Sequence, residues 1–314
     1  MIESNVFITG VNGFVGQHLA IYLRNIGMMV YGTDAHPSPA MEFVTYTQAL
    51  LPDTPAMEAM IKAVKPAQIY HLAAISYLPE ADNSPQDAFR INLLGTISVL
   101  DAAKRYAPNC SILITGSSKE YGAVSATEPI REELTPVPHD FYAISKYSGE
   151  LIAAQYSRQF NLDCRCTRSF NHSGPGQSPK FVCSDWAYQV AQIEKNKAPA
   201  TIKVGDISAM LDFCDVRDIV KAYYLILKKG RWGDIYNVCS GKGISLQYIL
   251  KYLINKSSQQ IEILHPNEKR RPKGHSLSIV GNNSKLCSHT GWRAQIAIEK
   301  TLDDLFDYWM KQPK

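Results

Sequence analysis

A hydroxyl, a phenol and an ammonium fall within one short stretch of this chain. Ser117 closes the run "ITGS", and "FYAISK" sets Tyr142 and Lys146 four residues apart. On a helix that spacing puts both side chains on one face. A cation beside a phenol favours its charged form, which predicts a lowered Tyr142 pKa and a side chain able to give or take a proton near neutral pH. Tyr-x-x-x-Lys also arises by chance in helices, with the ring at the core edge and the Lys in water. Its meaning therefore rests on the elements around it.

Those elements begin at the amino end. "NVFITGVNGFVGQHLAIYLRNIG" is a short apolar strand, a break at Gly10, and a helical pattern that Gly27 can end. Gly10 permits a tight turn, Gly13 lets the backbone approach a pyrophosphate, and Gly16 allows close helix packing. The free amides of the helix start favour an anion. The next strand, "MMVYGTD", ends in Asp34, at the distance where a carboxylate meets the adenosine ribose. Asp34 there would repel a 2′-phosphate and favour NAD(H) over NADP(H). The lesser alternative is that Asp34 starts the turn before His36 and Pro37.

Beyond it the pattern predicts a short strand near Phe43 to Tyr46 and a helix from Ala56 to Val64 that Pro66 ends. The buried strand "AQIYHLAA" leaves Ala73 and Ala74 at its carboxyl end, and His71 reads as a core histidine near the cofactor. A helix from Pro85 to Tyr106 carries Asn92 as a mid-helix polar group. "SILITGSS" brings Ser117 to the end of the next strand, the rim where ligands of parallel sheets sit. The helix of Tyr142 runs to Phe160, and "LDCRCTRSF" is a further strand, with Cys164 and Cys166 as same-face core thiols.

This alternation signifies an α/β, Rossmann-type doubly wound parallel sheet. Residues 1–168 are expected to form the dinucleotide-binding domain, and 169–314 a smaller, interleaved substrate domain. A strand and helix near 212–240 should return to the first. The remaining elements expected are a loop at "NHSGPGQSPKF", a helix over "VCSDWAYQVAQIEKN", a strand at "ATIKVG", a helix over "DVRDIVKAYYLILKK", a strand at "DIYNVCSG", a helix capped by Ser245, a strand at "QIEIL" and a final helix.

The 314 residues can bury a full core, and 45% hydrophobic with 20% charged residues is ordinary for a globular protein. A net charge of +4, with one basic cluster at 267–275, argues against nucleic acid as a partner. No signal pattern or membrane-length apolar run is visible, which places the chain in the cytoplasm. Seven cysteines without Cys-x-x-Cys pairs suit reduced thiols. No His, Cys and carboxylate cluster has metal-ligand spacing, so no metal is expected.

Taken together, "TGVNGFVG", "HLAA", Asn92, "GSSKEYG" and "YAISK" resemble the extended short-chain dehydrogenase/reductases over the whole chain. The resemblance implies Tyr142 as general acid/base, Lys146 as the cation that tunes it and holds the nicotinamide ribose, and Ser117, rather than its neighbour Ser118, as partner of the reacting oxygen. It implies a dinucleotide against Gly10, Asn12, Gly13, Phe14, Val15, Gly16, Asp34, Leu51, Leu72, Ala73, Ala74, Asn92, Tyr142 and Lys146. It also implies a homodimer in which the helices bearing Asn92 and Tyr142 form a four-helix bundle.

The family's 4,6-dehydratases carry an acid two residues after the catalytic hydroxyl, and here that position is Lys119. "RSFNHSGPGQ", "VGDISAMLDFCDVRDIVKAY" and "IYNVCSGKGISLQYIL" resemble the branch that reduces GDP-4-keto-6-deoxy-mannose. That branch implies substrate contacts at Ser118, Lys119, Glu120, Asn171, Phe181, Val204 and Arg271, and a role in deoxysugar supply for polysaccharide such as lipopolysaccharide. The chain departs from it at Lys119, at Leu211 in place of an Arg, and at Lys273-Gly274-His275 in place of an Asp. A heptose analogue or another nucleotide fits those departures. A 4-epimerase holding its NAD, a 4,6-dehydratase and a dinucleotide-binding protein without chemistry are the alternatives.

Overall fold

The computed structural model describes residues 4–124, 128–264 and 278–313. β1 (Asn5–Thr9) leads into α1 (Phe14–Asn25), followed by β2 (Met29–Asp34), β3 (Thr45–Gln48), α2 (Thr54–Val64) and β4 (Gln68–His71). Next come α3 (Leu78–Asn83), α4 (Pro85–Phe89), a π-helical turn at Arg90–Leu94, α5 (Gly95–Tyr106), β5 (Ser111–Ser117), a 3₁₀ turn at Ser118–Tyr121, α6 (Phe141–Phe160) and β6 (Asp163–Ser169). The second half holds β7 (Asn171–Ser173), α7 (Val182–Glu194), β8 (Thr201–Lys203), β9 (Met210–Asp215), α8 (Val216–Lys229), β10 (Ile235–Val238) and β11 (Gly243–Ser245). It ends with α9 (Leu246–Ile254), β12 (Glu262–Leu264), β13 (Ser278–Ile279), α10 (Ser284–Thr290) and α11 (Ile298–Lys311).

Seven strands form one sheet in the order β10-β6-β5-β4-β1-β2-β3, all pairs parallel. Helices cover both faces, as a parallel sheet requires. α1 and α8 pack on one face through Leu19, Leu23, Ile219 and Ile226. α2, α5 and α6 pack on the other through Met57, Val99 and Ala153. The strand order reverses between β1 and β4, which opens a crevice at their carboxyl ends. A separate core joins α7, α9 and α11 around Trp186, Ile249, Leu250 and Leu305.

Local chemistry explains the element boundaries. Asp53 caps α2 by accepting from the Ala56 amide, Asp140 caps α6 through the Ala143 amide, and Ser245 caps α9 through the Tyr248 amide. All seven cysteines are free, and Cys164 and Cys166 are buried in the same core.

The structure differs from expectation in several places. The third strand starts at Thr45, two residues later than Phe43, because Met41 and Phe43 pack beside the first core rather than pairing. The helix expected over Pro85–Tyr106 is broken by the π-helical turn that contains Asn92. The "NHSG" loop holds β7, which pairs with β9. β9 escapes the apolar pattern because Asp212, fully buried, sits between Leu211 and Phe213. Its carboxylate accepts from the Ser240, Gly241 and Gly281 amides and the Ser240 hydroxyl.

Candidate active site

The glycine loop after β1 is shaped by close backbone approaches. Gly10 has φ 72, and a Cβ there would stand 2.8 Å from the Ala73 nitrogen. A Cβ on Gly16 would meet the Gly10 oxygen at 2.1 Å. Gly13 occupies the cap position of α1 without a side-chain cap, and no acid lies in the first turn. The helix start is therefore open to an anion, and the loop fits the pyrophosphate of a dinucleotide.

From this loop a cavity of about 600 Å³ runs along the carboxyl ends of the strands. Gly10, Gly13, Phe14, Val15, Gly16, Asp34, Leu51, Leu72, Ala73, Ala74, Ser117, Ser118, Lys119, Tyr142, Lys146, Asn171 and Phe181 all line it. Asp34 lines it at the end of β2, its oxygens accepting from the Asn12 and His36 amides at 3.2 Å each.

Four residues expected at the ligands lie elsewhere. Asn12 points away to clasp Ser38 and Ala40. Asn92 is buried behind the wall, where it accepts from the Ile75 amide and donates to the Ile75 carbonyl and the Ser145 hydroxyl. Val204 belongs to the core of α7 and α9. Glu120 is fully buried beneath Ser117. All four were expected from the family resemblance, which matches positions along the chain and does not itself say where each side chain points. Arg271, the Lys273-Gly274-His275 run and the rest of that basic cluster lie outside the described residues.

Ser117 is held on both sides. Its amide donates to the Glu120 carboxylate at 2.7 Å, and its Oγ accepts from the Lys119 amide at 3.2 Å. With one lone pair so used, the hydroxyl can still donate, and Tyr142 is within its reach. Tyr142 and Lys146 both stand at the head of α6. Burial raises the Tyr142 phenol above its ordinary value, and a hydrogen bond from Ser117 works against that rise. The lowering expected from the four-residue spacing is not what the site shows: besides burial, the neighbouring Glu120, Tyr223 and Asp140 push the phenol up. Burial lowers Lys146 itself to about 8, while Glu120 pulls it upward. His71, between the Thr9 and Thr96 hydroxyls, is pushed down to about 3 by burial and by Lys146, so it stays neutral.

The cavity also contains residues that the sequence reading passed over. Ser169 and Tyr223 line it beside Tyr142, their hydroxyls 2.8 Å apart. Ser169 ends β6 as Ser117 ends β5, paired in register, so the rule that found one could have found the other. Tyr223 carries no such signal, since it lies on the strongly amphipathic α8 and reads as core. Among the described residues no helix is long and apolar enough to cross a membrane, and no group of His, Cys, Asp and Glu could hold a metal ion.

Known proteins share this arrangement. Residues 7–305 match the GDP-mannose 4,6-dehydratase family. GDP-6-deoxy-D-mannose reductase of Pseudomonas aeruginosa is 33% identical over 98% of both chains. GDP-6-deoxy-D-talose 4-dehydrogenase of Aggregatibacter actinomycetemcomitans is 28% identical over 91% of both. The structure of RMD from P. aeruginosa complexed with NADPH superposes with a TM-score of 0.83 at 31% identity, covering 98% of this chain and 99% of that one. A family match across nearly the whole sequence, a shared parallel sheet and a glycine loop shaped for a dinucleotide lead to one assignment: the chain belongs to the GDP-mannose 4,6-dehydratase family of extended short-chain dehydrogenase/reductases.

Proposed function

We propose that the chain is an NAD(P)H-dependent reductase of the 4-keto group of a nucleotide-diphosphate 4-keto-6-deoxy sugar, a GDP-linked mannose derivative or its heptose analogue. One observation carries this reading within a family named for dehydration. Among the described residues lining the cavity, Asp34 at the ribose end is the one carboxylate. Dehydration needs an acid beside Ser117, and Lys119 occupies that place.

The chain's residues suit proton delivery to a carbonyl. A bound NAD(P)H would supply the hydride to the carbonyl carbon. The Ser117 hydroxyl would bond the carbonyl oxygen and orient it. Tyr142, kept protonated by burial, is in the state a proton donor requires, and such transfer contributes roughly 10² to 10⁴-fold to rate. Lys146 would stabilise the phenolate that remains. Asn171, Phe181, Ser118 and Lys119 would hold the nucleotide sugar, Lys119 and the open α1 start meeting opposite ends of the charge. The Asp34 carboxylate would accept the ribose hydroxyls, favouring NADH. Exposed Leu94 and Leu151, on the helical run of Asn92 and on α6, support a dimer through those helices. Supply of a deoxysugar for surface polysaccharide in the cytoplasm follows from this reading.

Incubation with GDP-4-keto-6-deoxymannose and either NADH or NADPH tests it. Loss of the reduced cofactor's absorbance with formation of a GDP-6-deoxyhexose is expected, faster with NADH. No oxidation with any nucleotide ketosugar would refute the assignment, and stoichiometric NAD released on denaturation would indicate an epimerase instead.

A further inference from the structure

Three hydroxyls meet at the end of β6, and proton delivery to the carbonyl gives them no part. Thr167 and Ser169, two residues apart on the strand, face the same side of the sheet, and their oxygens stand 3.2 Å apart. Tyr223 reaches them from α8, its hydroxyl 2.8 Å from Ser169 Oγ. Thr167 is fully buried, whereas Ser169 and Tyr223 both line the cavity. Hydroxyls both give and accept hydrogen bonds, so this pair can offer a cavity occupant either one.

Their place along the sheet says which part of an occupant they meet. The glycine loop shaped for a pyrophosphate follows β1, and β6 lies three strands away in the order β1-β4-β5-β6, roughly 14 Å at the usual strand spacing. One ribose and one nicotinamide ring cover that span. Ser169 is the register partner of Ser117, so the two side chains start from neighbouring positions about 5 Å apart. Ser117 would orient the reacting carbonyl, and hydride transfer requires the donor carbon of the ring in contact with that carbonyl. The ring carbon next to the donor carries the carboxamide. A hydroxyl one strand over from Ser117 therefore falls at the carboxamide, a group with N–H donors and a C=O acceptor.

We propose that Ser169 binds the nicotinamide carboxamide and that Tyr223 is a positioning residue acting through it: the Tyr223 hydroxyl fixes the Ser169 hydroxyl, which in turn keeps the reactive edge of the ring toward Ser117 and Tyr142. This rests on the reading of the cavity as a nicotinamide site and names the side chains that hold the amide there.

Two titrations separate the ends of the cofactor. One uses NADH or NADPH, whichever wild-type protein takes up more tightly, followed by its fluorescence. The other uses the matching ADP-ribose, with the 2′-phosphate for NADPH, followed by calorimetry; it keeps the adenosine and pyrophosphate and lacks the nicotinamide. Ser169→Ala should weaken the reduced cofactor by about 3- to 10-fold, the worth of one hydrogen bond, and leave ADP-ribose unchanged. Ser169→Thr, which keeps the hydroxyl, should restore most of the affinity. Tyr223→Phe should also weaken the cofactor alone, and should add nothing in a chain that already carries Ser169→Ala. Should Tyr223→Phe not fold, the two Ser169 variants decide the matter. Cofactor affinity unchanged in Ser169→Ala, or equal losses for cofactor and ADP-ribose, would overturn the proposal. Wild-type protein that takes up neither NADH nor NADPH would sink the nicotinamide reading itself, and the proposal with it.

Discussion

Asn92→Leu keeps most of the side chain's volume and removes its three hydrogen bonds. The amide accepts from the Ile75 nitrogen at 2.8 Å and donates to the Ile75 oxygen at 3.1 Å and to Ser145 Oγ at 2.9 Å. Asn92 is 3% exposed, so water cannot replace it. Ser145 loses least, because its hydroxyl also donates to the Tyr142 carbonyl at 2.8 Å. The cost therefore concentrates on the half-buried Ile75 N–H and C=O, at up to about 1–3 kcal/mol for each group left unpaired. Partial relaxation of the Ile75 segment brings the sum to roughly 2–4 kcal/mol, against a typical total of about 5–15 kcal/mol. At ~2 °C per kcal/mol in a chain of this size, the thermal midpoint should fall by about 4–8 °C. Circular dichroism melts measure this directly, and NADPH fluorescence titration should show weaker binding because Ile75 lines the cavity. A midpoint within about 1 °C of wild type, with unchanged NADPH affinity, would refute the view that Asn92 holds the wall of the cofactor site.

Tyr142→Phe should lower kcat by about 10² to 10⁴-fold with NADPH binding intact, since the proton donor alone is removed; retention of a tenth of the activity would exclude Tyr142 as that donor. Gly16→Ala drives a methyl against the Gly10 oxygen and the Val11 backbone, neither of which is a flexible side chain. Dinucleotide affinity should drop at least ~10-fold, with a stability loss of about 1–3 kcal/mol, and unchanged affinity in fluorescence titration would contradict the loop's role. Burial lowers His71 from 6.5 to about 3, so between those values the unfolded chain binds a proton that the folded one does not. Stability should therefore decline as pH falls from 6.5 toward 3. His71→Gln should flatten that part of a plot of urea midpoint against pH, and an unchanged slope would count against it.

What could be read from the sequence depended on whether the cause was local. The strand, glycine break and helix at the amino end are local, as is the Ser245 cap that starts α9. The parallel sheet followed from alternation along the chain. The Tyr142 environment did not, since the four-residue spacing to Lys146 hides the burial and the neighbouring acidic groups that raise the phenol. Asn92 was visible as a polar residue out of place, but its partner Ile75 is brought to it by tertiary folding. Glu120 was expected toward the substrate, and its burial against Arg168 depends on β6, some fifty residues further on. Tyr223 and Asp212 were obscured for a related reason: polar groups satisfied deep in the fold imitate or interrupt the apolar pattern that reveals an element.

The position of β10 bears on how this protein is made. Residues 235–238 complete the seven-stranded sheet by pairing with β6. Within that strand the Asn237 side chain accepts from the Tyr121 hydroxyl and donates to the Ile130 carbonyl, and its backbone N–H donates to the Glu132 carboxylate. The segment beside Ser117 is thus braced by a strand synthesised more than a hundred residues later. A nascent chain that has released only its first 170 residues presents β6 as a bare edge, open to pairing with any other extended chain. Cotranslational folding cannot seal that edge until the ribosome has passed residue 238 and the chain has cleared the exit tunnel. A split of the gene near residue 170 should yield an amino-terminal fragment that aggregates alone and recovers when the carboxyl-terminal fragment is expressed beside it.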